Sequence, residues 1–141
     1  MATDPIDGSM AIVFPYSGRI LFGQGGEGSL SEVPDVIETR PDPEEIAYSP
    51  RENMVVYRLP PDAEMLSLSI ALSPDEFWVL MNGDTQEENR IVDRYDRRTL
   101  SYLGSWRLPL HLNRITASGH RLVGIQTDLF PALFVLDPGN R

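Results

Sequence analysis

Two histidines, two aspartates in one strand pattern and a glycine-rich loop carry the residue types and spacings that could do chemistry. His111 and His120 could both offer imidazole to a metal from turn ends, but no carboxylate pattern surrounds them. They read as unrelated. Asp93 and Asp96 lie in the run RIVDRYD and, taken as sharing one strand face, could hold calcium or work as acid and base. Arg94, Arg97 and Arg98 stand beside them, so ion pairing or turn capping is the expectation. Gly23-Gln24-Gly25-Gly26-Glu27-Gly28 fits G-x-G-x-x-G, with Asp42, Glu44 and Glu45 about 20 residues further on. A dinucleotide site would need a helix next, aiming its first amides at the pyrophosphate, and Ser29-Leu30-Ser31-Glu32-Val33-Pro34 is a poor helix opening. The loop is expected to be flexible, and no cofactor is expected. There is no G-x-S-x-G elbow, and with no cysteine there is no thiolate nucleophile, Cys-bound metal or disulfide. No catalytic or metal-binding residue is assigned. Tyr16 and Tyr48, beside turns or the irregular segment, join His111 and His120 as the residues expected on a ligand or partner surface.

The elements that must position these residues are strands. In LSLSIALS, Leu66, Leu68, Ile70 and Leu72 alternate with small residues, which predicts four apolar side chains on one face. EFWVLM is apolar on both faces, as a strand between two layers would be, and Trp78 within it reads as core. RIVDRYD and SYLGSWRLP complete a four-strand run, with Tyr102, Trp106 and Leu108 expected on one face of the last. The predicted strands are Leu66–Ser73, Glu76–Met81, Arg90–Asp96 and Ser101–Leu108. Before them, Ser9–Phe14 and Arg19–Phe22 predict a hairpin, and Asn53–Leu59 a further strand. After them come Leu112–Ala117, Arg121–Gln126 and Ala132–Leu136. The segment of about 23–50, rich in Gly and Pro, is expected to be an irregular insertion with few buried side chains beyond Val36 and Ile37. Within it, a short strand is placed at Val36–Thr39, and Asp42-Pro43-Glu44-Glu45 is read as a solvated loop.

Internal echoes make this a repeat. Tyr57-Arg58-Leu59-Pro60 returns as Trp106-Arg107-Leu108-Pro109, and the stretch from Leu72 to Leu80 aligns with Ala117 to Ile125 at an offset of about 45. Ile91–Asp96 and Ala132–Asp137 are each a short strand closed by Asp. A period in the forties with four strands per unit points to an all-β fold of antiparallel four-stranded meanders, a partial β-propeller of about two to three blades forming one domain over 1–141. RIVDRYDRRTLSYLGSWRLP, with FWVLMNG before it and ITASGHRLVGIQ and PALFVLDP after it, resembles the carboxy-terminal blades of bacterial six-bladed β-propeller proteins of the NHL-repeat and TolB-like group. GSMAIVFPYSGRI is similar to an earlier hairpin of such a ring. The resemblance implies a fold and no single function, because propellers host unrelated activities. The expectation is a non-catalytic binding or scaffold module that recognises a ligand or protein through blade loops. The alternative is part of a lactonase or hydrolase propeller with a metal in its central channel.

Composition bounds the partners. The net charge of −9 disfavours nucleic acid and anionic lipid. No apolar run reaches the roughly 18 residues of a membrane span, and MATDPIDGSMAIVF lacks the basic start and apolar core of a secretory leader. The compartment stays open, periplasmic or extracellular included if the chain is a fragment. A six-bladed ring needs roughly twice this length. The expectation is self-association, or union with further blades of a longer parent.

Overall fold

The computed structural model describes residues 1–26, 28–41, 44–49, 54–59, 61–83, 88–127 and 130–137. Thirteen strands run through them: β1 (Ala2–Thr3), β2 (Met10–Val13), β3 (Ile20–Gly23), β4 (Ser31–Glu32), β5 (Glu44–Ser49), β6 (Met54–Arg58), β7 (Ser67–Leu72), β8 (Glu76–Met81), β9 (Ile91–Asp96), β10 (Tyr102–Arg107), β11 (Arg114–Ser118), β12 (Arg121–Gln126) and β13 (Ala132–Leu136). They form three antiparallel meander sheets, β1-β2-β3-β4, β7-β8-β9-β10 and β11-β12-β13, and a separate hairpin, β5-β6. Among the described residues no helix occurs, so none is long and apolar enough to cross a membrane.

Local chemistry closes the turns of the central sheet. The Ser73 hydroxyl accepts from the Glu76 amide at 3.2 Å, pinning the β7–β8 turn. After β9 the Asp96 carboxylate accepts from the amides of Arg98 and Thr99 at 2.9 and 2.7 Å, which lets Leu100 take a left-handed φ of 59°.

The three sheets stack through two apolar layers. Ala11, Val13, Ile20 and Phe22 of the first sheet meet Ile70, Phe77, Val79 and Tyr95 of the central one. Phe22 stacks on Phe77 with ring centroids 5.5 Å apart, and Phe77 on Tyr95 at 4.9 Å. On the other side Ala71, Trp78, Leu80 and Val92 meet Ile115 and Leu122 of the third sheet, with Phe134 and Leu136 packed against them. β8 is therefore covered on both faces, and Phe77, Trp78, Val79 and Leu80 are all at most 2% exposed. The echo at about 45 residues is an echo of strand pairing. Leu72 pairs with Phe77 and Ile70 with Val79, as Ala117 pairs with Leu122 and Ile115 with Gly124. Gly124 stands where the central sheet has Val79, and Leu112 fills the space: a Cβ on Gly124 would lie 2.3 Å from its Cδ1.

Two bulges overturn the expected faces. Register shifts between Ser67 and Ser69, so Leu68 packs with Ala71 toward the third sheet while Ile70 and Leu72 face the first. Register shifts again between Tyr102 and Gly104, whose φ is 125°. Tyr102 consequently meets Tyr95 on one face and Trp106 meets Trp78 on the other. Both alternations read from sequence break at one extra residue.

The segment of about 23–50 is not wholly irregular. β4 pairs onto β3, and β5 pairs with β6, so Glu44 and Glu45 belong to a strand rather than a loop, while Asp42 and Pro43 lie outside the described residues. No strand forms at Val36–Thr39. Val33, which the sequence does not flag, is buried at 3% exposure, Val36 packs beside the first layer, and Ile37 is 57% exposed.

Candidate functional site

A groove of about 450 Å³ opens between the central sheet and the loop that follows the first. Its walls are Ile37, Leu66, Met81 and Ile91, with Glu38, Arg40 and Glu64 at its polar side and Asp93 and Ser105 at its base. Asp93 is there because β9 alternates. Val92 and Arg94 face the third sheet, while Asp93 and Tyr95 face the first. β10 brings Ser105 directly opposite Asp93. The bulge before Gly104 then returns Tyr102 to the same face, where the Tyr102 and Ser105 hydroxyls lie 2.7 Å apart.

The result is a short polar chain, with the Ser105 hydroxyl donating to Asp93 Oδ1 at 2.5 Å. Asp93 is 3% exposed, and burial pushes its carboxyl above the usual carboxylate range, with the Ser105 bond only partly opposing this. The Tyr95 phenol is pushed up as well, by burial first and then by the neighbouring Asp93 charge. Glu38 and Arg40 pair with each other at 3.3 Å, leaving Glu64 and Asp93 to set a negative potential. A buried carboxylate accepting one neutral hydrogen bond is under-solvated, and a cationic donor would supply what the fold does not.

The other ionic clusters are knit together. Glu76 accepts from Trp78 Nε1 at 2.8 Å and from Arg94 at 2.9 and 2.5 Å, while Arg94 lies 4.5 Å from the Trp106 ring centroid. Burial pushes the Glu76 carboxyl up, but the Arg94 and Trp78 bonds more than offset it and leave it lowered. Arg97 spans Asp4, Asp7 and the carbonyls of Ser73 and Pro74. These clusters cement the sheets.

The aspartates do not share a face, since three positions apart on a pleated strand is an odd step. Asp93 goes to the groove and Asp96 caps its turn, its carboxyl lowered chiefly by the Thr99 amide. The turn-capping role expected from the sequence thus falls to Asp96 alone. Of the neighbouring arginines, Arg94 pairs with Glu76 and Arg97 with Asp4 and Asp7, while the Arg98 amide and charge stay with Asp96.

Of the four surface candidates, the fold gathers two at one end. Tyr16 is half-buried in the β2–β3 turn, whose Pro15 carbonyl accepts from the Leu66 amide at 2.7 Å. The exposed His111 touches the Glu88 carbonyl through Nδ1, beside Leu112, which donates to Asn89. Both lie toward the groove end of the stack. His120 is at the opposite end, exposed and 3.9 Å from Asp75. Tyr48 pairs with Val55 within β5-β6, and its side chain lies outside the described residues. Among the described residues no three His, Asp or Glu side chains gather as a metal site would need. Gly23 ends β3, and Gly25 packs on the Asp7 carbonyl, with no helix following among the described residues. Asp93 escaped the surface candidates because its run offered three arginines, and no pattern shows which of them turns away.

No protein-family model matches this chain, and no curated protein matches it.

Proposed function

We propose that the chain is a non-catalytic binding module of β-propeller blades, taking a cationic side chain on an apolar stem in the groove above Asp93. The observation that carries this reading is Asp93 itself, 3% exposed, bonded by Ser105 and lining an open groove. A lysine or arginine side chain of a partner fits the chemistry. Its methylenes would lie along Leu66, Met81 and Ile91, and its head would meet Asp93. The net charge of −9 attracts such a partner at long range. The blade assignment is supported by the repeated pairing and by two apolar layers built the same way between consecutive sheets.

The test is an amide-shift titration with N-acetyl-lysine amide and N-acetyl-arginine amide, using N-acetyl-norleucine amide as the uncharged control. We expect saturable shifts centred on Met81, Asp93 and Ser105 from the cations alone, and a loss of at least about tenfold in affinity in Asp93→Asn, equal to 1.4 kcal/mol. Shifts absent, or equal for the norleucine control, sink the reading.

A further inference from the structure

The outward face of the third sheet is bare where the same face of the other two sheets is covered. Val123 pairs with Val135 and Ile125 with Leu133, placing these four side chains on the face away from the central sheet. Ile125, Val135 and Leu133 are 38%, 56% and 66% exposed. The equivalent pairs in the central sheet are Trp78 with Arg94 and Leu80 with Val92, of which Trp78, Leu80 and Val92 pack against the third sheet. In the first sheet they are Ala11 with Phe22 and Val13 with Ile20, packed against the central sheet. Twice along the chain this face is roofed by the next meander. The third time nothing described lies over it.

The receiving half of such a joint is also present. The central sheet receives the first with Phe77 and Val79. Their equivalents in the first sheet, Met10 and Ile12, lie with Leu21 on its far face and are half-buried. Glu32 stands opposite Leu21 on that face, where it pairs with Arg19 at 2.8 Å, and Arg114 and Arg121 stand on the bare one. The two faces are thus the two halves of the joint that already unites consecutive sheets within one copy, which is why a second copy fits the bare one.

We propose that the bare face of the third sheet packs on the far face of the first sheet of a second copy, joining copies head to tail. This contact is heterologous, a different patch from each partner, so copies form a ring where the rotation between them closes and an open row where it does not. It is independent of the groove and stands if no ligand binds there.

The test measures mass by light scattering on the eluting protein at micromolar concentration. The unmodified chain is expected to run as an assembly of at least two copies. The double variant Leu133→Lys/Val135→Lys and, separately, Ile12→Lys are expected to run as monomers. Mixing them leaves one intact joint and is expected to restore a one-to-one pair. Because Ile12 is half-buried, a second measurement guards against misfolding. The chain has no cysteine. Val135→Cys mixed with Ile12→Cys should therefore cross-link through a short bis-maleimide into a mixed dimer, while neither does so with itself. A monomeric unmodified chain overturns the proposal, as does association that survives the double lysine variant. Cross-linking of Val135→Cys to itself would show a self-paired face and overturn it too.

Discussion

The Arg97 guanidinium donates to the Asp4 carboxylate at 2.9 Å across 93 positions of sequence. Both side chains are largely buried, at 8% and 13% exposure, and the same nitrogen donates to the Ser73 carbonyl at 2.7 Å. One side chain from the turn after β9 thereby ties the β1–β2 turn to the β7–β8 turn, with its Cζ 5.8 Å from the Phe22 centroid.

Arg97→Met should cost about 3 kcal/mol, because it leaves Asp4 buried without its partner. The more exposed Asp7 contributes little of this. Urea unfolding measures the loss. Arg97→Lys should recover only part of it, since an ammonium cannot span two carboxylates and two carbonyls at once. A change below about 1 kcal/mol in the Met variant would mean that the tie is ornamental.

Acid should act on this protein in two opposing ways. Asp7 is lowered chiefly by the Ser9 amide and Asp96 chiefly by the Thr99 amide. Glu76 ends lowered because its Arg94 and Trp78 bonds outweigh burial. These three contribute stability above their ordinary values and lose it as pH falls through their folded values. Asp93 is raised, so its folded charge is a penalty at neutral pH, relieved as pH falls through the raised value. Asp93→Asn should therefore be neutral or stabilising at neutral pH and lose stability more steeply than the unmodified chain toward about pH 3. Parallel stability curves for the two proteins would refute this account of Asp93.

Gly25→Ala should destabilise by about 1–3 kcal/mol, since packing is overfilled against main chain that cannot rotate away. A Cβ there would lie 1.5 Å from the Asp7 carbonyl oxygen. The Gly25 amide also donates to Ser9 Oγ at 3.3 Å, so exchange protection at Gly8 and Ser9 should fall first. Unchanged protection there would show that the loop moves aside freely.

The central meander was legible because its signals are local. β8 runs over Glu76–Met81 as its double-sided apolar run predicts, and β7, β9 and β10 fall within one residue of their predicted ends. What failed was facing. Leu68 and Tyr102 each lie beside a single-residue bulge, and one extra residue moves a side chain across the sheet whatever the alternation says. β5 was missed because Glu44 and Glu45 read as solvated, while its partner β6 supplies the strand signal for both.

By itself the sequence determined the class: alternation of period two, turn residues at Ser73-Pro74 and Asp96, and an echo at about 45 residues leave little but repeated antiparallel meanders. Those are properties of neighbours along the chain, where steric preference and hydrophobic periodicity act. Only the tertiary structure decided which charges meet. Arg94 going to Glu76, Arg97 to Asp4 and Asp93 to the groove depend on three strand registers and two bulges at once. Electrostatic partners are chosen by distance in space, and sheet packing sets that distance between residues far apart in sequence.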